Sequence, residues 1–180
     1  MDDTPSQWPA TLRRLRAAAR ETGFLMSCEE RTGGRILELG TGVGEGAAWL
    51  LSGMDGASGL VTVELDPDVQ AVARAQLGSD PRVTFATMDG GDWLEAYDGE
   101  PFDLVFADTW PGKFTHLDRA LELVAPGGTY LIDDLFPQPG WPESHEVAVR
   151  RLLTELEGRE DFRSVRMAWA SGLLMAVRTG

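Results

Sequence analysis

The sequence predicts a single α/β domain with a mainly parallel seven-stranded β-sheet, helices on both faces and a C-terminal antiparallel hairpin. Three observations lead to this prediction. Short apolar segments of strand length alternate with helical segments between residues 35 and 157. A glycine-rich turn joins the first strand to the helix that follows it. Two closely spaced strands, rather than another helix and parallel strand, end the chain.

The predicted strands are short, mostly apolar and bounded by turn residues. They cover residues 36–39, 60–64, 83–86, 102–107, 129–132, 165–169 and 173–177. The first five alternate with helices, as in parallel sheets, because parallel neighbours need a long crossover connection. The last two are separated by a turn at Ser171 and Gly172, which predicts a hairpin.

The predicted helices follow from capping residues and apolar periodicity. They cover residues 9–21, 45–51, 67–77, 93–97, 114–124 and 143–157. Asp66 is the predicted N-cap of the helix at 67–77, and Pro67 occupies its first position. Its predicted inner face consists of Val69, Val72, Ala73 and Leu77. Residues 1–34 are expected to form an N-terminal helical lead-in, and residues 35–180 the main domain.

Composition limits the classes of function. The 180 residues suffice for one domain, and no apolar run is long enough to span a membrane. The net charge of −13 disfavours a nucleic-acid partner, because phosphates would be repelled. The single cysteine, Cys28, cannot form an internal disulfide, and the N-terminus has no signal-peptide pattern. We therefore expect a cytoplasmic protein, with a homodimer as one possible assembly.

The glycine-rich turn lies where open α/β sheets bind nucleotides. Residues 35–51 read RILELGTGVGEGAAWLL, with alternate glycines at Gly40, Gly42, Gly44 and Gly46. Such a turn lets backbone N–H groups approach a ligand. The stretch 42–47 fits the dinucleotide pattern G-x-G-x-x-A, but that pattern contains no acid at the position of Glu38. A turn that only packs a helix on the sheet is a third alternative.

A carboxylate ends the second predicted strand. This residue, Glu64, lies 22 residues beyond Gly42. A carboxylate there can accept hydrogen bonds from both hydroxyls of a ribose, which fits either nucleotide interpretation. Leu65, the next residue, is expected to lie beside the same nucleotide.

The string E-L-G-T-G-x-G, which begins at Glu38, resembles the first motif of class I S-adenosylmethionine-dependent methyltransferases. The resemblance implies a Rossmann-like fold in which Glu38 and the glycines hold the methionine and ribose parts of the cofactor. It also implies that an acid after the third strand binds the adenine amino group. Asp89 is the candidate and Asp92 the rival, and helix capping is the structural alternative for both. The terminal hairpin likewise resembles the end of the class I sheet.

Three carboxylates follow the fourth and fifth predicted strands: Asp108, Asp133 and Asp134. Neighbouring parallel strands end at the same edge of a sheet, so these side chains are expected to converge. Like charges oppose each other's ionisation, and a divalent cation would remove the conflict. Oxygen ligands favour Mg²⁺, Ca²⁺ or Mn²⁺. The alternative is that the three residues cap loops and helices.

The stretch from about Arg35 to Asp134 resembles the cation-dependent catechol and caffeoyl-coenzyme A type of O-methyltransferases. The segments concerned read FDLVFADTW, LVAPGG and IDD. The resemblance implies that Asp108 and Asp133 hold Mg²⁺, with Asp134 replacing an asparagine. It also implies a base lysine, but Pro111 occupies that position, and Lys113, the only lysine of the chain, stands two residues later. Trp110 matches a position that packs on the adenosine.

These observations predict an S-adenosylmethionine-dependent enzyme that methylates an oxygen of a small molecule, an aromatic hydroxyl being one candidate. The base candidates are Lys113, His116, His145 and the aspartates, Asp108 among them. The aromatic residues Trp8, Trp110 and Trp141 are candidates for walls around an aromatic acceptor. Two alternatives stay open: an NAD(P)-dependent oxidoreductase and a non-catalytic protein that binds S-adenosylmethionine.

Overall fold

A computed structural model describes residues 33–138 and 140–180. The strands are β1 (Arg35–Leu39), β2 (Gly59–Glu64), β3 (Val83–Thr87), β4 (Phe102–Ala107), β5 (Val124–Ile132), β6 (Phe162–Met167) and β7 (Leu173–Arg178). The helices are α1 (Glu45–Gly53), α2 (Pro67–Leu77), α3 (Gly90–Ala96), α4 (Leu117–Glu122) and α5 (Glu143–Gly158). The predicted helix at 9–21, Trp8 and Cys28 lie outside the described residues. So does nearly all of the predicted lead-in at 1–34.

The seven strands form one sheet in the order β3-β2-β1-β4-β5-β7-β6. Strands β1 to β5 pair in parallel, whereas β7 runs antiparallel to both β5 and β6. The predicted fold class is therefore confirmed. Within the described ranges, no helix is long and apolar enough to cross a membrane.

Helices cover both faces of the sheet. On one face, buried residues of α3, α4 and α5 pack on strand residues such as Leu37, Val105 and Tyr130. On the other, Ala47 and Leu51 of α1 pack on Leu60 of β2. The inner face predicted for α5 is correct: Val149, Leu152 and Leu156 are buried, and Leu153 is partly buried against the core.

The inner face predicted for α2 is partly wrong. Val72 is 49% exposed, whereas the polar residue Gln70 is fully buried. Ala73 is buried as predicted. A buried polar side chain needs hydrogen-bond partners, and those of Gln70 come from strands and turns that the helix's own periodicity does not reveal.

Several element boundaries also differ from the prediction. Strand β5 begins at Val124 rather than at residue 129, with a register shift opposite it between Phe102 and Leu104. Helix α4 begins at Leu117 rather than at residue 114, because His116 just before it has the left-handed backbone conformation (φ +54°), which interrupts a helix; the N–H groups of residues 113–115 bind the carbonyl oxygen of Trp110 in a compact turn.

Candidate active site

The candidate site lies at the carboxyl ends of β1, β2, β4 and β5. Strand β1 lies between β2 and β4, so the chain connections diverge from it to the two sides of the sheet. Such a switch point is where open α/β sheets bind ligands. The N–H of Asp108 donates to the carbonyl oxygen of Leu39 at 2.9 Å, which holds the ends of β4 and β1 together.

The glycine turn has one tightly packed position and one open position. Gly40 has φ +100°, and a Cβ there would come within 2.8 Å of the carbonyl oxygen of Asp108. Gly42 has φ +52°, and no atom lies within 4 Å of where its Cβ would be. Gly44 is buried against Ala73 of α2. The turn is thus pressed onto β4 at Gly40 and leaves space for a ligand at Gly42.

Glu64 fixes the open part of this turn. One carboxylate oxygen accepts a hydrogen bond from the N–H of Gly42 at 2.9 Å, and the other from the N–H of Asp66 at 3.1 Å. Each carboxylate oxygen has further acceptor capacity, so ribose hydroxyls could still bind. Leu65 beside it is 65% exposed.

Glu38 lies beneath the turn rather than on its surface. Its side chain is fully buried, and one carboxyl oxygen accepts a hydrogen bond from Thr62 at 2.5 Å. The other has no hydrogen-bond partner among the described residues and contacts Gly46. Burial raises the pKa of Glu38 to about 8; the Thr62 bond opposes this rise, and repulsion from Asp108 and Glu64 adds to it.

A chain of buried hydrogen bonds connects Gln70 to Glu38. The amide of Gln70 donates to the hydroxyl of Thr41 at 3.2 Å, and that hydroxyl lies 2.6 Å from the hydroxyl of Thr62. The sequence interpretation missed Gln70. A signal was present, because Gln70, Ala73 and Leu77 share the i, i+3, i+7 spacing of one helix face.

Asp89 caps a helix, which was the structural alternative to binding the adenine amino group. It is the N-cap of α3, and one carboxylate oxygen accepts from the N–H of Gly91 at 2.7 Å and of Asp92 at 3.1 Å. Asp92 is exposed in the first turn of the same helix. Capping occupies one oxygen of Asp89, so this role does not exclude a contact with a ligand through the other.

The strand register brings the predicted carboxylates together. Ala107 of β4 pairs with Ile132 of β5, so Asp108 and Asp133 follow at the same level. Asp108 is exposed to solvent on one side, but the surrounding protein raises its pKa to about 6. Lys113 opposes this rise through its charge, and repulsion from Asp134 and Asp133 adds to it.

Lys113 reaches back to the end of β5, next to Asp133. It is 4% exposed, and its ammonium nitrogen donates to the main-chain oxygen of Asp133 at 2.8 Å. Burial lowers the pKa of Lys113, while attraction to Asp108, Asp134 and Asp133 opposes that effect. The carboxylates thus have a positive partner supplied by the chain itself.

The predicted cation site is not formed in this arrangement. Within residues 33–138 and 140–180, no three acidic, histidine or cysteine side chains form a group that could hold a metal ion. One oxygen of Asp133 already accepts hydrogen bonds from the N–H of Asp134, at 2.6 Å, and from the hydroxyl of Ser171. That oxygen is therefore used within the chain, and a divalent cation stays a prediction of the sequence.

An aromatic wall borders the carboxylates; we use this name for Trp110, Phe114, Trp141 and His145. The ring of Phe114 lies edge-on to Trp110 at 5.0 Å and to His145 at 5.2 Å, and Trp141 lies 4.0 Å from His145. Trp110 is 49% exposed, but His145 is buried. Burial lowers the pKa of His145, as does the charge of Lys113, while Asp134 opposes this. His116, the other histidine, lies against Gly91 of α3.

Comparison with known proteins identifies the class. Residues 37–135 match the family described as Methyltransferase domain. The chain is 30% identical over 153 residues to the catechol O-methyltransferase of Mycobacterium tuberculosis, covering 80% of this chain and 70% of that protein. The O-methyltransferase TomG from Streptomyces achromogenes, solved in complex with SAM, is 25% identical with a TM-score of 0.73, covering 97% of this chain and 92% of that one. The O-methyltransferase from Bacillus cereus in complex with SAH has a TM-score of 0.75 at 22% identity, covering 99% and 94% of the two chains, and supports the fold alone.

The fold and the glycine turn therefore define a class I S-adenosylmethionine-dependent methyltransferase. The chain belongs to the methyltransferase domain family matched by residues 37–135, and it is an O-methyltransferase. The predicted enzyme class and cofactor are thus confirmed. The alternative of a nicotinamide-dependent oxidoreductase is not favoured.

Proposed function

We propose that the chain transfers the methyl group of S-adenosylmethionine to the hydroxyl oxygen of a small aromatic molecule. The observation that carries this proposal is the aromatic wall beside Asp108. Trp110 is half exposed there, and a cavity of about 720 Å³ adjoins it, lined in part by Lys113 and Phe114. The relative from Mycobacterium tuberculosis is named for catechol, an acceptor of this chemical class.

We propose that the cofactor binds across the switch point. Gly42 gives the closest approach to the backbone, and Glu64 accepts the ribose hydroxyls. Glu38 supports the turn from below through Thr62 and Thr41. The proposed cofactor-binding residues are Glu38, Gly40, Gly42, Gly44, Glu64, Leu65, Asp89, Asp108 and Trp110.

S-Adenosylmethionine supplies an electrophilic methyl group on its sulfonium. The chain's part is to position the acceptor in line, exclude water and remove the hydroxyl proton. The sequence left Lys113, His116, His145 and the aspartates as bases for that proton, with a metal-assisted loss to water as a further route. We propose Asp108 as the base, because it reaches solvent and its pKa of about 6 lies near working pH. Lys113 is buried and already bound to Asp133, and would contribute through its charge.

Asp108→Asn tests this assignment. We expect turnover with catechol to fall about 100-fold, the size typical of losing a general base. Turnover would be measured as S-adenosylhomocysteine formed, and cofactor affinity by calorimetry. Asp98→Asn, which changes an exposed acid, is the matched control. Near-normal turnover of folded Asp108→Asn would reject Asp108 as the base, and the absence of methylation across a panel of phenols would reject the acceptor class.

The proposal also covers the metal ion, the cellular location and the partners expected from the sequence. We derive no step through Mg²⁺, Ca²⁺ or Mn²⁺, because Asp108, Asp133 and Asp134 do not fit such an ion as they stand. We propose a cytoplasmic enzyme without a nucleic-acid partner, in keeping with its net charge of −13. A homodimer is proposed from the sequence interpretation alone, and light scattering coupled to size-exclusion chromatography would test it.

A further inference from the structure

The turn at residues 110–116 carries two of the four rings of the aromatic wall, and it is closely packed. Inside the turn, the N–H groups of residues 113–115 bind the carbonyl oxygen of Trp110. Gly112 is buried with φ +84°, and a Cβ there would overlap a methyl group of Leu39 at the end of β1. The place of the Trp110 ring at the site therefore depends on what holds this turn.

Two hydrogen bonds tie the turn to β5. The hydroxyl of Tyr130 donates to the carbonyl oxygen of Gly112. The ammonium nitrogen of the next residue, Lys113, donates to the main-chain oxygen of Asp133 at 2.8 Å. One strand thus holds two successive residues of the turn, the first by its main chain and the second by its side chain. Burial raises the pKa of the Tyr130 hydroxyl, which therefore keeps the proton that it donates.

The hydroxyl of Tyr130 is explained by its acceptor and not by packing. The ring is fully buried in the apolar core, and its neighbours across the sheet are Val105 and Ala176. A phenylalanine would contribute the same ring to that core. The hydroxyl supplies a donor to the buried carbonyl oxygen of Gly112, and a buried acceptor without a donor is unfavourable. Without it, the carbonyl would regain a partner only by turning towards water, which would move the turn and Trp110 with it.

We propose that Tyr130 is a positioning residue for methyl transfer: its hydroxyl holds the turn at residues 110–116 so that Trp110 lies at the cofactor site. Tyr130 acts through Gly112, because its own side chain is fully buried beneath the turn. The inference rests on the proposed function in one respect, the placing of Trp110 on the adenosine. Neither the glycine motif nor the acids at the strand ends indicated this residue.

The chain has two tyrosines, which provide a matched pair of variants. Tyr130→Phe removes the donor from the turn. Tyr97→Phe removes a hydroxyl that donates to the carbonyl oxygen of Glu100 at 2.8 Å and lies beside Arg35, at the opposite edge of the sheet. In Tyr130→Phe, amide hydrogen exchange at residues 112–115 should accelerate about tenfold, and affinity for S-adenosylhomocysteine should fall about tenfold by calorimetry, the size of one lost hydrogen bond. Tyr97→Phe should match the wild type in both.

Trp110→Ala separates this inference from the proposed function. If Trp110 packs on the adenosine, Trp110→Ala weakens binding of S-adenosylhomocysteine. Adding Tyr130→Phe to it should then weaken binding little further, because residues that act through one another are not additive. Normal affinity in Trp110→Ala would reject the placing of Trp110 on the adenosine, and the exchange at residues 112–115 would still decide whether Tyr130 holds the turn.

Two results with Tyr130→Phe would overturn the proposal. One is exchange at residues 112–115 as slow as in the wild type. The other is faster exchange with unchanged affinity for S-adenosylhomocysteine while Trp110→Ala binds poorly, since the hydroxyl would then serve stability alone.

A fluorine label tests the same inference if Tyr130→Phe does not fold. With 3-fluorotyrosine in place of both tyrosines, the protein gives two fluorine resonances, which Tyr97→Phe assigns. Saturation with S-adenosylhomocysteine should shift the resonance of Tyr130, through Trp110 and the turn, and leave that of Tyr97 in place. A Tyr130 resonance that S-adenosylhomocysteine does not move would overturn the proposal.

Discussion

At the scale of single residues, the candidate site is dominated by carboxyl groups in different surroundings. Glu64 is bound to backbone N–H groups of the cofactor turn, whereas Glu38 is fully buried with one oxygen unpartnered. The motif predicted that both acids matter. It did not predict the burial of Glu38, because that depends on Gly46, on helix α1 above it and on Thr62 of the neighbouring strand.

Replacing Glu64 should weaken cofactor binding. Glu64→Ala removes a charged acceptor of hydrogen bonds, and we expect a loss of about 2–3 kcal/mol in the free energy of S-adenosylmethionine binding. Calorimetry would measure it, with Glu95→Ala as a control that removes one exposed acid of α3. Unchanged affinity in Glu64→Ala would contradict the ribose assignment.

The buried acid predicts a pH-dependent stability. The pKa of Glu38 is about 8 in the folded protein and near its ordinary value of 4.5 in the unfolded chain. Below pH 4.5 both states hold the proton, but between pH 4.5 and 8 only the folded state does, so Glu38 lowers stability increasingly as pH rises. Glu38→Gln lacks this titration. Its stability relative to the wild type should therefore rise across this window, by at most about 1.4 kcal/mol per pH unit.

Urea unfolding at several pH values would measure this difference. Glu100→Gln, which changes an exposed acid, should give a curve parallel to that of the wild type. If Glu38→Gln also ran parallel, Glu38 would be ionised in the folded state, and the buried neutral carboxyl would be the wrong description.

At the scale of elements, local signals predicted the existence and type of most helices and strands but not their inner faces and ends. Asp66 caps α2 as predicted, through bonds to the N–H groups of Asp68 and Val69. Periodicity places Gln70 on one helix face with Ala73 and Leu77, but it does not reveal its hydrogen-bond partners, which lie on the glycine turn and on β3. The late start of α4 depends likewise on the left-handed conformation of His116, which local signals did not reveal.

The role of Gln70 gives a prediction at this scale. Its amide donates to Thr41 and to the carbonyl oxygen of Ala86 at 3.0 Å, so it ties α2 to both the cofactor turn and β3. Gln70→Leu would remove the donor from both acceptors, and we expect a loss of about 1–3 kcal/mol in unfolding free energy. We also expect weaker binding of S-adenosylhomocysteine, measured by calorimetry. Gln76→Leu, on the exposed face of the same helix, should change neither quantity.

A stability loss with unchanged cofactor affinity would assign Gln70 to packing alone. Unchanged stability and affinity together would mean that the chain of hydrogen bonds from Gln70 to Glu38 does not shape the turn.

At the scale of the whole molecule, the predicted order of strands and helices was enough to predict which residues meet at the site. Parallel neighbours end at one edge of the sheet, so the meeting of Asp108 with Asp133 followed from the order of elements, and the register confirms it. The position of the positively charged Lys113 could not be predicted from the order of elements. It depends on how the turn at residues 110–116 folds back, which sequence spacing leaves undetermined.

The net charge of −13 gives a prediction for the entire domain. Self-repulsion opposes the compact state, and salt screens it: the Debye length falls from about 30 Å at 0.01 M to about 3 Å at 1 M. The melting temperature should therefore rise as KCl is added to protein in dilute buffer. MgCl₂ at matched ionic strength should give the same curve, because the acidic side chains of the described residues form no group that could hold a metal ion. Differential scanning fluorimetry would measure both, and a melting temperature that falls steadily with KCl would show that favourable ion pairs, such as Arg82 with Asp80, outweigh the net repulsion.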